Sequence, residues 1–335
     1  MKHTEPVRVS IIVPMRNEAK YIGACLESIL AQDYPHNLLE VWMVDGGSID
    51  QTREIVAGFS QRADFVHLLD NPEQTTPHAM NYGLKAAQGD VIIIVGGHCT
   101  LAPDYIRHCV RLLQETDAAC VGGLLTSQGE GWLSQSIAMA MSSPFGVGNA
   151  RFRYATEAGF VDTVAFGAYR REVFETIGVF NPELTRNQDD ELNYRLRQAG
   201  FKIYLSPEIQ SVYYTRSSLG KLWKQYFQYG FWKIRVLRDY PGSVQARHLI
   251  PGLFVLGLSK ALLGAPFHRH FRTLLKGILL PYVLASLFFG WKRCRQDIKY
   301  LPGVLTAFPI LHLAYGSGFW WGLWQFLRSG QNPKA

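Results

Sequence analysis

Asp45 closes an apolar run, Val41-Trp42-Met43-Val44, and is followed at once by Gly46-Gly47-Ser48 and then Asp50. A carboxylate at a strand end can accept from a base N–H or a ribose hydroxyl, and flanking glycines let backbone come close to the ligand. A tight strand-to-helix turn would use the same residues. Arg16-Asn17-Glu18 follows an earlier strand and offers a cation and acceptors to a nucleotide, although Asn17 also suits a helix cap. Asn187-Gln188-Asp189-Asp190-Glu191 opens a helix, where the dipole favours acids. Three consecutive acids exceed what a cap needs, and a carboxylate there can serve as general base on an alcohol. Val91-Ile92-Ile93-Ile94-Val95 ends in Gly96-Gly97-His98, where His98 brings a nitrogen for a proton or a metal and no carboxylate stands.

The elements that must position these groups alternate. Val7 to Pro14, Val41 to Val44, Phe65 to Leu69, Val91 to Val95 and Ala118 to Leu125 read as strands. Between them run helices: one capped by Asn17 with Ile22, Cys25, Leu26, Ile29 and Leu30 on its apolar face, one opened by Ser48 and Gln51 as a capping box, one by Thr76-Pro77 and one by Pro103. Repeated βα units predict a parallel sheet with helices on both faces, and ligands at the carboxyl ends of its strands. Beyond residue 125 come a helix over Trp132–Met141, a glycine-rich loop Ser143–Asn149 and a strand Val161–Phe166. A helix Arg171–Ile177, a helix Asp189–Ala199 closed by Gly200, and strands Ile203–Leu205 and Ser211–Tyr214 follow.

Charge and apolarity are unevenly spread. The formal charge is +7, and Arg216–Arg247 alone holds seven Lys or Arg against one acid, Asp239. Aromatic residues thread that stretch (Trp223, Tyr226, Phe227, Tyr229, Phe231, Trp232), which suits an anionic membrane surface or phosphate-bearing ligands. None of the usual nucleic-acid-binding motifs is present, so nucleic acid is not expected as a partner. Three apolar stretches follow: Leu249–Ala265, which holds Pro251 and Lys260 and suits the interface; Leu274–Gly290, barely a span; and Leu301–Leu327, long enough to cross. Basic residues in both intervening loops imply that one stretch is interfacial or re-entrant, and a buried helical core is the bland alternative. Five scattered cysteines without a CxxC pair argue for a reducing compartment. With no apolar leader at Met1–Pro6, the first domain is expected in the cytoplasm.

Taken together these motifs resemble family 2 glycosyltransferases of the GT-A fold. The resemblance rests on Val9-Ser10-Ile11-Ile12-Val13-Pro14-x-Arg16-Asn17-Glu18 and Val44-Asp45-Gly46-Gly47-Ser48-x-Asp50-x-Thr52. It continues through Thr76-Pro77-x-Ala79-x-Asn81-x-Gly83-Leu84, Gly89-Asp90, Val161–Arg171 and Gln188–Leu196. The texture of Ser143–Gly148 and Gln225-Tyr226-x-x-Tyr229-Gly230 is similar to the membrane-associated, succinoglycan-type branch. The resemblance implies an α/β fold, a GT-A doubly wound mixed sheet over residues 1–240, followed by hydrophobic membrane helices over 241–335. It also implies an inverting transfer from a UDP-sugar to a hydroxyl of a lipid-linked glycan at the inner face of the cell membrane. Pro14, Arg16, Glu18, Asp45, Thr76 and Gly96 would line the nucleotide pocket, with Asp45 on the uracil and Asp189 as general base. Asp190, Trp223, Gln225, Tyr226 and Lys233 would lie on the acceptor and membrane side.

One strand end departs from the pattern. The family has Asp-x-Asp or Asp-x-His after the fourth strand; here Gly96 stands at the first carboxylate and His98 at the position that touches the metal. The implied cofactor is a divalent ion, manganese or magnesium, and imidazole suits manganese or zinc better than magnesium. Loss of the carboxylate also motivates a second reading, a nucleotide-sugar-binding or scaffold protein with impaired catalysis. A sugar-nucleotide pyrophosphorylase is disfavoured, because residues 14–18 read Pro-Met-Arg-Asn-Glu and not a Gly-x-Gly-Thr-Arg loop.

Overall fold

The structure, a computed structural model, describes residues 6–215 and 218–329. Arg216, which opens the basic stretch, and Met1–Glu5, in the leading segment, lie outside the described residues. The chain packs as two compact units, Met1–Thr126 with Arg151–Tyr213, and Ser127–Ala150 with Tyr214–Ala335.

In the first unit the elements run β1 (Val9–Met15), α1 (Ile22–Leu30), β2 (Leu39–Asp45), α2 (Thr52–Arg62), β3 (Val66–Asp70), α3 (Thr76–Ala86), β4 (Val91–Ile94), β5 (Cys99–Leu101), α4 (Tyr105–Glu115) and β6 (Ala118–Gln128). After α5 (Trp132–Met141) and α6 (Pro144–Val147) of the second unit come β7 (Gly159–Val161), β8 (Ala165–Arg170), α7 (Arg171–Ile177), α8 (Gln188–Gln198) and β9 (Lys202–Tyr214). Strand order is β3-β2-β1-β4-β8-β6-β9-β5, with β7 beside β9. The β3-β2-β1-β4 half is parallel, as the βα repeats require. The other half is not: β8 lies antiparallel to β4 and to β6, and β5 antiparallel to β9, so the sheet is mixed. Helices cover both faces. A Cβ on Gly83 of α3 would meet Ile12 of β1 at 2.4 Å, whereas a Cβ on Gly97 would meet Ile22 of α1 at 3.3 Å and the Cβ of Met15 at 3.4 Å, on the opposite face of β1. Ile11, Ile12, Val13, Ile92, Ile93 and Val95 are fully buried between them.

Several sequence-based expectations shift for physical reasons. The strand expected at Val161–Phe166 is split, because β7 pairs with β9 whereas β8 pairs with β4 and β6. Ile203–Leu205 and Ser211–Tyr214 merge into β9, whose first part pairs with β7 and last part with β5. The Ser143–Asn149 loop contains α6, with Ser143 accepting at its N-cap. Helix α1 starts five residues after Asn17, and α2 starts at Thr52 without a side-chain cap, so neither Asn17 nor Ser48 is a cap. Thr75, not Thr76, occupies the N-cap of α3.

The second unit is helical: α5, α6, α9 (Leu219–Asp239), α10 (Ala246–Gly264), α11 (Arg269–Cys294) and α12 (Leu301–Ser329). Glycines let its backbones touch. A Cβ at Gly230 of α9 would lie 2.0 Å from the Tyr315 carbonyl oxygen, and one at Gly318 of α12 would lie 2.0 Å from that of Phe227. Along α12, Val304, Ala307, Phe308 and Ala314 are fully buried. This last apolar stretch, expected to cross a membrane, is therefore spent largely on packing. Instead α10 and α11 are the helices long and apolar enough to cross among the described residues, and most of each is uncovered. They run antiparallel: Phe254 stacks on Tyr282 at 4.7 Å, Gly257 faces Ile278 and Gly264 faces Phe271.

Candidate active site

The carboxyl ends of β1 and β4 flank the point where strand order reverses, which is where open α/β sheets hold ligands. Pairing between them stops at Ile12 with Ile94, closed by the Val95 N–H on the Ile12 carbonyl. The next donor from β1 toward β4 would be residue 14, which is proline and has no N–H. Pro14 thus ends the ladder and lets the strands part, with Gly96-Gly97-His98 at the parting. Gly96 is partly exposed, and a Cβ there would touch nothing closer than Cys99 Sγ at 3.4 Å.

Two loops are stitched together beside that opening. Ser48 Oγ accepts from the Asn17 N–H at 2.9 Å, Thr52 Oγ1 from the Glu18 N–H at 2.8 Å and Asp50 from the Ala19 N–H at 3.2 Å. In return Asn17 Oδ1 accepts from the Ile49 N–H at 2.9 Å, with Asn17 in the left-handed region at φ 54°. The Ser-x-Asp-x-Thr spacing therefore clamps the Arg16–Ala19 loop. Two side chains emerge from it. Arg16 is exposed, its stem over Gly46, with no ion-pair partner among the described residues. Glu18 crosses to His98, whose Nδ1 lies 2.9 Å from Glu18 Oε1, both side chains about one fifth exposed at 21%.

Asp45 is the best-held carboxylate of the site. Its side chain has no exposed surface and takes Arg53 Nη1 at 2.8 Å, the Ser48 N–H at 3.1 Å and the Ser48 hydroxyl. Burial pushes its pKa up, but the Ser48 and Arg53 hydrogen bonds outweigh that and hold it below the usual carboxylate value of 3.8. Arg53 also reaches the exposed Asp70 at 2.6 Å, so one half-exposed guanidinium bridges the two carboxylates. Thr76, partly exposed, opens α3 just after Gln74, which is left-handed at φ 59° and whose amide lies over Gly47. Arg53 and Gln74 carried no signal in the sequence, since neither falls in a motif that chemistry would single out.

The three acids of α8 divide. Glu191 is 1% exposed and makes a bidentate pair with Arg195, at 2.6 and 2.9 Å, and Arg195 also holds the Ile177 and Val179 carbonyls. It is structural. Asp189 is exposed and accepts from the Asp190 N–H at 2.9 Å, in the first turn after Asn187 at φ 61°. Asp190 is partly exposed. Behind them Asn193 accepts from the Tyr169 hydroxyl at 3.1 Å and donates to Thr163 at 2.9 Å, which ties α8 to β8. Burial pushes the Tyr169 phenol well up, with Cys120 and Asp189 adding to it. Phe166, beside Gly96, is also left-handed at φ 49°, an uncommon conformation for a bulky residue and one that clusters at functional sites.

Of the residues expected on the acceptor side, Asp190 lies on α8 in the first unit, and Trp223, Gln225, Tyr226 and Lys233 lie on α9 in the second. Trp223 is 40% exposed, whereas Gln225, Tyr226 and Lys233 are buried. Gln225 donates to the Tyr229 hydroxyl at 2.8 Å, and Tyr226 meets the Tyr229 ring edge-on. The Gln225–Gly230 pattern thus builds the face that α12 packs on, and Trp223 projects from it.

Among the described residues no group of three His, Cys, Asp or Glu converges to hold a metal. What stands at the strand end is one imidazole backed by a carboxylate, with Nδ1 engaged by Glu18. That set would suit a divalent ion that arrives with its own oxygen ligands on a diphosphate, for which His98 would supply one nitrogen.

Comparison with known proteins adds the following. The family model described as Glycosyl transferase family 2 matches residues 10–178. The chain is 32% identical, over 94% of its length and 97% of the relative's, to a dolichyl N-acetyl-alpha-D-glucosaminyl phosphate 3-beta-D-2,3-diacetamido-2,3-dideoxy-beta-D-glucuronosyltransferase of Methanococcus voltae. It is 29% identical, over 95% of its length and 96% of the relative's, to the succinoglycan biosynthesis protein ExoA of Rhizobium meliloti. Among solved structures, a mannosyltransferase of Pyrobaculum calidifontis in complex with GDP-Man and Mn2+ superposes with a TM-score of 0.60 at 19% identity, covering 96% of this chain and 88% of that one. Residues 1–349 of TarS from S. aureus, in complex with UDP-GlcNAc, superpose with a TM-score of 0.53 at 15% identity, covering 98% and 93%.

Proposed function

The chain belongs to glycosyl transferase family 2 and is a glycosyltransferase of GT-A fold, and from that premise we propose that it moves a sugar, with inversion, from a UDP-sugar to a hydroxyl of a lipid-linked glycan acceptor. The observation that carries this reading is the reach of the similarity. The Methanococcus relative, whose name specifies a dolichyl phosphate-linked acceptor, matches through both compact units, α10 and α11 included. Those two helices, apolar and largely uncovered, support association with a membrane, and we place residues 1–240 as the catalytic portion at its cytoplasmic face.

In this mechanism the acceptor hydroxyl stands near Asp189. Its oxygen attacks the anomeric carbon, its proton passes to the Asp189 carboxylate, and the bond to the diphosphate breaks on the opposite face with its electron pair leaving on UDP. Asp189 suits the role because it is exposed while its neighbour Glu191 is committed to Arg195. Arg16, aimed from the clamped loop and unpaired among the described residues, meets the diphosphate. Asp45, fixed with Arg53, bounds the uracil end. His98 would hold the divalent ion, preferably manganese, which when bound stabilises charge building on the leaving diphosphate. Asp190, partly exposed beside the base, serves the acceptor side; on α9, Trp223 is exposed and offers its ring to a membrane surface, whereas Gln225, Tyr226 and Lys233 are buried in helix packing.

The test is UDP release by the full-length protein in membranes, across a panel of UDP-sugars with lipid-linked acceptors, with and without manganese. Release that needs both donor and acceptor, and is lost in Asp189→Asn, is expected. A wild-type protein that binds UDP but turns over no donor would favour the scaffold reading, and activity gained in Gly96→Asp would strengthen it.

A further inference from the structure

We propose that Glu18 is a positioning residue for His98: it takes the Nδ1 proton of the imidazole and so presents a bare Nε2 as ligand for the divalent ion that accompanies the donor's diphosphate. The proposal rests on the donor-site reading above, and it gives Glu18 a different task from lining the nucleotide pocket.

The geometry carries it. A carboxylate accepts and does not donate, so a contact of 2.9 Å between Glu18 Oε1 and Nδ1 requires the proton on Nδ1. In neutral imidazole the lone pair then sits on Nε2, which no described residue engages. Histidine ligands to metals are held in this way by a carboxylate on the far nitrogen, which fixes both tautomer and ring orientation. The ring is further fixed edge-on by Tyr213, centroids 5.1 Å apart. Glu18 in turn has little freedom. Its N–H is on Thr52 at 2.8 Å, its carbonyl takes the Tyr21 and Ile22 N–H groups at 2.8 and 2.9 Å, and its neighbours are pinned by Ser48 and Asp50. Gly97 completes the arrangement. A Cβ there would sit 3.4 Å from Glu18 Cγ and 3.3 Å from Ile22, so glycine clears the path that the Glu18 side chain takes to His98. The Ser48-x-Asp50-x-Thr52 spacing, Glu18, Gly97 and His98 thus form one chain of support ending at a single nitrogen. It offers the site a fixed imidazole where a carboxylate is missing at Gly96.

The experiment uses full-length protein in detergent, labelled with 15N-histidine, the His98 signals being assigned against His98→Gln. Wild type is expected with Nδ1 protonated and Nε2 bare at a pH where the ring is neutral. Glu18→Ala is expected to shift toward the Nε2–H form, and Glu18→Gln, whose amide oxygen still accepts, to retain the wild-type form. Titrated by electron paramagnetic resonance at saturating UDP, Mn2+ should bind about 10–100-fold more weakly to Glu18→Ala and near wild type to Glu18→Gln. An Nε2-protonated wild type, or equal Mn2+ affinity in Glu18→Ala, overturns the proposal, and the wild-type spectrum decides even if Glu18→Ala does not fold. Failure of wild type to bind UDP, with the expected tautomer present, refutes the donor-site reading and the metal half with it.

Discussion

Three consecutive acids on α8 should give three different mutants, and the differences follow from where each carboxylate goes. Asp189→Asn keeps an oxygen able to accept the Asp190 N–H, now 2.9 Å from Asp189 Oδ1, so the local turn survives. Its stability cost is the lost charge at a helix N-terminus, about 0.3–1 kcal/mol. Its catalytic cost is the loss of general-base assistance, ~10²–10⁴-fold in rate, which corresponds to about 3–5 kcal/mol of barrier. Glu191→Ala inverts the ratio. It leaves Arg195 without its buried bidentate partner, at 1% exposure for Glu191, and breaking such a pair costs about 3–5 kcal/mol of stability. Its activity per folded molecule should stay within a few fold of wild type. Asp190→Asn should change either property little. Thermal unfolding in detergent and UDP release at saturating donor and acceptor, normalised to folded protein, separate the cases. Asp189→Asn with wild-type kcat, or Glu191→Ala with the larger loss per folded molecule, would refute the assignment of the base.

Further expectations concern the scaffold. The pKa of Asp45 is held below 3.8, so its contribution to stability is fully present above that value and is lost as pH falls through the lower, folded value. Urea midpoints for wild type and Asp45→Asn should differ by a constant amount from about pH 5 to 7 and converge in stronger acid; a gap that widens toward acid contradicts the hydrogen-bonded, ionised Asp45. On α9, Gly230→Val forces a Cβ to within 2.0 Å of the Tyr315 oxygen and should lower stability by at least about 1–3 kcal/mol. Gly220→Ala on the same helix meets nothing within 4 Å and should be neutral or slightly stabilising; unfolding scans that rank them the other way contradict the close packing of α9 on α12. Gly96→Asp has room for its Cβ, 3.4 Å from Cys99 Sγ, so it should fold and tighten Mn2+ at saturating UDP, which the same resonance titration reads.

The parallel half of the sheet was legible because buried strands and amphipathic helices differ in period; the three acids at the start of α8 stood out in the sequence, but only the structure separates Glu191, paired with Arg195, from the exposed Asp189 proposed as base. Other features were invisible for definite reasons. β8 inserts between β4 and β6, and that choice depends on pairings such as Ile93 with Ala168 and Cys120 with Tyr169, far apart in sequence, to which local pattern is blind. Asn17 and Ser48 satisfy the composition rules for caps, yet their hydrogen bonds run between two loops, and side chains of this type serve either purpose equally well. The fate of the last apolar stretch turned on glycine. Read by length, Leu301–Leu327 is a span; read as surface shape, Gly316, Gly318 and Gly322 are contact points for neighbouring backbones.

Much of what the family pattern spells out is therefore support. Gly83 seats α3 on Ile12, the Gly89 N–H binds Ser10 at 2.7 Å, Asn81 exchanges hydrogen bonds with Phe180, and Gly230 seats α12 on α9. Even Asp45 is tied to Arg53. This division bears on the missing carboxylate. If the pattern were mainly chemistry, losing one acid at Gly96 would mark a protein drifting out of use, and the supports would be free to decay with it. Here they are intact and converge: the loop clamp holds Glu18, Gly97 lets it pass, and His98 receives it. Five residues, Ser48, Asp50, Thr52, Glu18 and Gly97, thus cooperate to keep one imidazole still at the strand end. On the proposed donor-site reading, glycine at position 96 changes how an ion would be held and leaves the reaction in place.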